Sequence, residues 1–269
     1  MTAPLYSPAV VRQLLARHGL RPDKRLGQNY LVDGNILRHI VAAVNARPGD
    51  TVLEIGPGLG VLTRELALTG ARVIAVEKDR RLAPVLVETL AGTAVHLVWG
   101  DALEVELDLP AGTIVAGNLP YNMGTAMVAR FLCDERVVRL VHVLQKEVAQ
   151  RALAQPGDEQ YGFYSLLVAM CAVGRLLRVI PPGAFYPRPE VSSALIELRR
   201  TGAQVDQALL DFIAAGFAHR RKTLVNSLRA SGYQLDPSAL QALGLDMQVR
   251  AEALALDQFQ RLFSRAVRP

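Results

Sequence analysis

The chain has 269 residues, 51% of them hydrophobic, which is enough to bury the core of a full-sized α/β domain plus a small accessory domain and excludes global disorder. Thirty Lys and Arg against 25 Asp and Glu give a formal charge of +5, a mild excess that favours a polyanionic partner and makes its placement more important than its size. Two cysteines, Cys133 and Cys171, and five scattered histidines show no metal-ligand spacing, so no metal is expected and the thiols read as buried free groups in a reducing cytosol.

The first twenty residues lack a signal-peptide apolar region, and the longest apolar run, about residues 166–173, is too short to span a bilayer. A soluble cytoplasmic protein without membrane contact is expected. A basic stretch, residues 21–25, includes Lys24 and Arg25 and precedes Leu26-Gly27-Gln28-Asn29-Tyr30-Leu31. From about residue 50, short β-branched runs at 51–55, 72–77, 95–99, 113–117 and 137–145 alternate with helical patterns at 61–69, 80–91 and 124–133. That alternation predicts a parallel, doubly wound sheet with right-handed crossovers. Two later runs, 175–180 and 193–198, flank the loop PPGAFYPRP and predict an antiparallel edge, bringing the strands to seven.

After Arg200 the alternation stops. Helical patterns follow at 206–218, 220–230, 237–243 and about 256–267, so the expected domains are 1–202 and 203–269. Gly232 and Gly244 suit helix stops, and Pro237 suits a first helical turn capped by Asp236.

Directly after the first run come Gly56-Pro57-Gly58-Leu59-Gly60 and an amphipathic segment, the strand, glycine turn and helix of a nucleotide-binding crossover. A dinucleotide site would place a third Gly at position 61, where this chain has Val61, so a pyrophosphate cofactor is disfavoured. Glu77, closing the second strand, can accept from both ribose hydroxyls of an adenosine, and Asp101, closing the third, can hold an adenine amino group. Ligands of open α/β sheets lie outside the carboxyl ends of the strands, so Gly56, Gly58, Glu77, Asp101 and the residues after Gly117 should converge on one crevice.

The fourth strand ends in Gly117-Asn118-Leu119-Pro120-Tyr121-Asn122. An adenine N6 amine is a poor nucleophile because its lone pair is delocalised into the ring. The Asn118 side-chain oxygen and the Leu119 carbonyl could accept the two N6 hydrogens and free that lone pair. Pro120 biases Leu119 toward an extended conformation, and Tyr121 could stack on a flipped-out base. Phe185, in a loop stiffened by Pro187 and Pro189, is a candidate second aromatic jaw. In the tail, Arg220, Arg221 and Lys222 open a helical pattern that continues to Arg229. A stripe of that kind can line a phosphate backbone or be no more than a solvated face.

These motifs, in this order, resemble the ribosomal small-subunit RNA adenine N6,N6-dimethyltransferases, part of the rRNA adenine methyltransferase family. The likeness spans roughly residues 20–265 and includes Leu144-Gln145-Lys146-Glu147-Val148 and Arg220-Arg221-Lys222-Thr223-Leu224. It implies a Rossmann-like α/β fold that binds S-adenosyl-L-methionine, carries a seven-stranded, mostly parallel sheet and ends in a small all-α C-terminal domain. The implied reaction is dimethylation of two adjacent adenines in the hairpin near the 3′ end of 16S rRNA, with the immature 30S subunit as substrate and a monomeric enzyme. By the same resemblance Asn29 and Leu31 cover the methionine end of the cofactor. Gly56 and Glu77 then hold its centre and ribose, Asp101 meets its adenine, and Asn118, Tyr121 and Phe185 form the base pocket. The familiar first motif often has Phe where Tyr30 stands. Rival readings are a large-subunit rRNA methylase of the macrolide-resistance type, a DNA adenine methylase, a non-catalytic assembly or transcription factor, and an NAD-dependent oxidoreductase.

Overall fold

The computed structural model describes residues 4–120, 123–219 and 221–267. In chain order its elements are α1 (Pro8–Arg17), β1 (Tyr30–Leu31), α2 (Gly34–Val44), β2 (Thr51–Ile55), α3 (Val61–Leu68), β3 (Arg72–Glu77), α4 (Ala83–Thr89), β4 (Val95–Trp99), β5 (Thr113–Asn118), α5 (Gly124–Leu132) and β6 (Val137–Gln145). There follow α6 (Lys146–Leu153), α7 (Phe163–Cys171), β7 (Ala172–Ile180), β8 (Phe185–Tyr186), β9 (Ser193–Arg200), α8 (Gln207–Phe217), α9 (Leu224–Ala230), β10 (Gln234–Leu235), α10 (Pro237–Gln241), α11 (Leu256–Phe263) and β11 (Ala266–Val267).

Two compact units emerge: Met1–Ala149 with Arg175–Arg200, and Gln150–Gly174 with Thr201–Pro269. The first is built on a seven-stranded sheet in the order β4-β3-β2-β5-β6-β9-β7. β2 pairs in parallel with β3 and β5, β3 with β4, and β5 with β6, whereas β9 runs antiparallel to β6. All five residues of β2 are buried, as expected of a central parallel strand covered on both faces, while β4 at the edge is only partly buried. β9 inserts between β6 and β7, so the expected antiparallel edge is present with β7 outermost.

The N-terminal helices, which carry no expectation from the alternation, form for local reasons. The Asp33 side chain accepts from the N–H groups of Asn35 and Ile36 to cap α2, whose Ile36, Leu37, Ile40 and Val44 are buried along one face. α2 ends at Asn45 in the left-handed conformation, with its N–H on the Val41 carbonyl.

The second unit is mainly helical. Asp206 caps α8 through the Leu209 N–H, and Thr223 caps α9 through the Asn226 N–H. Its core packs the Phe212 ring edge-on to Tyr233, centroids 5.2 Å apart, and against Phe259. Residues 150–174, which the sequence reading placed before the boundary near 203, cluster here. The Tyr161 hydroxyl donates to the Leu254 carbonyl at 2.7 Å, and the Gly157 N–H donates to Glu252. A short antiparallel pair, β10 with β11, adds strand structure to a region expected to be all helix. α9 begins at Leu224, four residues later than the pattern from 220 suggested, because Thr223 supplies the cap. Cys171 is buried as expected, but Cys133, at the C-terminal end of α5, is exposed. Among the described residues, no helix is long and apolar enough to cross a membrane.

Candidate active site

The carboxyl ends of β2, β3, β4 and β5 meet at one cavity in the first unit, lined among others by Asn29, Leu31, Glu54, Gly56, Gly58, Glu77, Asp101, Asn118 and Pro120. The turn after β2 is built on positive φ angles at Gly56 (70°), Gly58 (57°) and Gly60 (79°), which side chains rarely tolerate. A Cβ at Gly56 would project into open space, so backbone alone faces the cavity there.

Glu77 is buried at the end of β3, and both its oxygens are engaged: Oε2 accepts the Gly58 N–H at 3.2 Å and Oε1 the Asp79 N–H at 2.7 Å. Burial pushes its carboxyl above the ordinary value, and these N–H groups oppose that rise. Asp101 accepts from Lys78 Nζ at 2.7 Å and from the Leu103 N–H at 2.9 Å. The Lys78 bond leads in holding its carboxyl low, so Asp101 presents a negative charge to the cavity. The spacing between the two turns has a further determinant: a Cβ at Gly117, where φ is 156°, would lie 2.5 Å from the Ile55 carbonyl oxygen.

Asn118 closes β5. Its Nδ2 donates to the Asn29 carbonyl at 2.8 Å, and since a carbonyl can only accept, that contact orients the amide. Its Oδ1 is buried and has no hydrogen-bond partner among the described residues. An orphaned acceptor of this kind is costly unless a donor arrives. The next residue, Leu119, is buried, and its N–H continues the sheet ladder by donating to the Val143 carbonyl at 3.0 Å.

Several placements differ from the sequence reading. Phe185 is not on the cavity: β8 pairs with β1, setting Leu31 opposite Phe185, and the ring is 3% exposed within the main core. The pairing overrides the stiff, open loop suggested by the prolines. Tyr121, Asn122 and Arg220 lie outside the described residues. Lys24 and Arg25 are exposed, and Arg25 is paired with Asp23 at 2.9 Å while its segment borders the cavity. In the second unit Arg221 and Lys222 precede the helix instead of opening it. Lys222, Asn226 and Arg229 line a shallow depression, the last two spaced three residues apart on one face of α9.

Two residues at the cavity received no role from the sequence. Gln28 bridges to Asp79, its Nε2 donating at 2.8 Å. Glu54, 1% exposed, lines the cavity with Oε2 unpartnered, and burial pushes its carboxyl up to about 8. Glu54 belongs to the glycine motif, but an apolar strand gives no hint that its one carboxyl faces inward.

Residues 19–267 match the family described as Ribosomal RNA adenine dimethylase. The chain is 53% identical over 260 residues to Ribosomal RNA small subunit methyltransferase A of Deinococcus radiodurans, covering 95% of this chain and 89% of that one. Among solved structures, it is similar in fold to a dimethyladenosine transferase from Plasmodium falciparum, with TM-score 0.74, 22% identity and coverage of 87% and 95% of the two chains. It is also similar to the 23S rRNA methyltransferase ErmE, with TM-score 0.70, 28% identity and coverage of 88% and 99%. With the family's profile matched over nearly its whole length, the chain belongs to the ribosomal RNA adenine dimethylases.

Proposed function

We propose that the protein is an S-adenosyl-L-methionine-dependent methyltransferase that dimethylates the N6 amines of two adjacent adenines in the hairpin near the 3′ end of 16S rRNA. On this reading it acts as a cytoplasmic monomer on the immature 30S subunit. The observation that carries the reading is the buried, unpartnered Asn118 Oδ1 on the same cavity as Glu77, Asp101 and the glycine turn. The residues present fit the cofactor. Gly56 offers open backbone while Gly58 lines the cavity packed against the Tyr30 ring, Glu77 accepts from ribose hydroxyls, Asp101 accepts from an adenine amino group, and Asn29 and Leu31 cover the remaining end.

When bound, S-adenosyl-L-methionine supplies an electrophilic methyl group on its sulfonium. The chain's own residues prepare the amine. In the first transfer Asn118 Oδ1 accepts one N6 hydrogen, the Leu119 carbonyl accepts the other, and the nitrogen lone pair is withdrawn from the ring. The methylated nitrogen then loses one hydrogen as a proton to solvent, and in the second transfer the single remaining N6 hydrogen is held by one of the two acceptors. Because Asn118 is already fixed by Asn29 and Leu119 by Val143, these acceptors need little reorganisation as charge develops on the nitrogen. Pro120 stiffens the turn, and Tyr121 is assigned the stacking role by its place in the motif. Lys24, Arg25, Arg221, Lys222 and Arg229 are assigned to rRNA phosphates, the last three within the helical domain of residues 203–269.

The large-subunit reading is favoured less, since the 53% likeness is to a small-subunit enzyme and the likeness to ErmE is 28%. The test is incubation with labelled S-adenosyl-L-methionine and either unmethylated small subunits, large subunits or duplex DNA, followed by mass identification of the nucleoside. N6,N6-dimethyladenosine in small subunits alone is expected, and preference for either other substrate refutes the assignment.

A further inference from the structure

Residues 23–28, of which 25–28 line the cavity, belong to no long element, being only a short 3-10 turn over Lys24–Leu26 before β1. Arg81 pairs with Asp23 at 3.6 Å and Asn29 Nδ2 donates to the Gly27 carbonyl at 3.1 Å, but the side chain that ties the segment to both Tyr30 and Asp79 is Gln28. Gln28 Oε1 accepts both the Asp23 N–H at 2.9 Å and the Tyr30 hydroxyl at 3.0 Å, and Nε2 donates to Asp79 Oδ2 at 2.8 Å. With both lone pairs of its oxygen taken, Gln28 is not available to accept from a ligand. Asp79 is itself fixed, by Arg81 at 2.7 Å through two nitrogens, and its N–H holds Glu77. The Tyr30 ring lies against the glycine turn, where a Cβ at Gly58 would fall 3.2 Å from two ring carbons, and the Gly58 N–H returns to Glu77. The contacts form a closed circuit, Glu77 to Asp79 to Gln28 to Tyr30 to Gly58 to Glu77, around the acidic end of the cavity.

We propose that Gln28, with Tyr30 and Asp79, is a positioning latch that holds the segment 23–28 over the sulfonium donor and sets the Glu77 carboxylate for it. The inference rests on the donor site argued above and adds residues that bind no ligand themselves. Asn29 and Leu31 stand partly apart from the latch, because β1 is pinned to β8 by the pairs Tyr30 with Tyr186 and Leu31 with Phe185. The contact of Asn29 with Asn118 therefore survives loss of the latch, and donor affinity is affected more than the chemical step.

The test is calorimetric titration of the full chain with S-adenosyl-L-methionine, paired with steady-state kinetics on unmethylated small subunits. Tyr30→Phe removes one buried hydrogen bond and should weaken donor binding about fivefold, and Gln28→Ala, which removes three, should weaken it more. In both, KM for the donor rises while kcat stays within about threefold. Gln28→Glu sets a carboxylate against Asp79 and should bind at least as poorly as Gln28→Ala. Adding Asp79→Asn supplies an amide donor across the same gap, at the loss of one of the two Arg81 bonds, and should bind the donor better than Gln28→Glu alone. Equal donor binding by wild type and Gln28→Ala, a double variant no better than the worse single, or a fall in kcat at unchanged KM would each overturn the latch. Failure of the wild type itself to bind the donor would instead defeat the reading of the cavity, and the latch with it.

Discussion

The cavity of the sheet unit and the basic depression of the helical unit, proposed to hold a reactive cofactor and a polyanionic substrate, are built in opposite ways. At the sheet edge the functional groups are buried and tied to main chain: Glu77 by two N–H groups, Asn118 by the Asn29 carbonyl. In the helical unit Lys222, just before α9, and Asn226 and Arg229 on it are exposed. Buried, pre-oriented groups act at low effective dielectric, whereas exposed cations are screened by salt and work as a sum. Single changes should therefore be severe in the first region and mild in the second.

The largest effect expected is that of Asn118→Ala, which removes the acceptor proposed for the adenine amine. Single-turnover methyl transfer should fall about 100- to 1,000-fold with binding to small subunits retained. Parallel loss of binding would erase the distinction between the regions. Next comes Glu77→Ala, for which calorimetry should show donor affinity reduced about 10- to 100-fold, the range for losing bonds to a charged acceptor.

A pH experiment sharpens the same contrast. The Glu54 carboxyl stays protonated in the folded chain up to about 8, while in the unfolded chain it ionises near the ordinary 4.5. Its contribution to stability is therefore full below about 4.5 and is lost as pH rises toward about 8. Glu54→Gln cannot ionise. The thermal midpoint of the wild type should fall relative to this variant across that window and run parallel above it, and a constant difference would show that Glu54 is charged in the folded chain. The smallest effects belong to the basic depression, where Lys222→Ala or Arg229→Ala should weaken small-subunit binding a few-fold and lower the salt slope by about one each. A 100-fold loss from either would mean that the depression is a built pocket.

The strands of the sheet were legible because near-continuous apolar runs such as Thr51–Ile55 can only be covered on both faces, and their ends then determine where Glu77, Asp101 and Asn118 must gather. Contacts made across long stretches of chain were not. Nothing local indicates that Asn118 would be oriented by a carbonyl 89 residues away, or that Gln28 would reach Asp79 across 51. Phe185 shows the same limit, since a two-residue pairing with β1 decides its burial. Other differences had a local signal: Thr223 and Asp33 are ordinary helix caps, and either marks the true start of its helix.

Gly117 carries a consequence for how the enzyme can vary. With no room for even one methyl between it and Ile55, the donor-side and acceptor-side turns share a single wall with no slack. A shift of either strand end is passed directly to the other. If donor and amine sit on these two turns as proposed, the absence of one carbon at Gly117 fixes how far apart they are held.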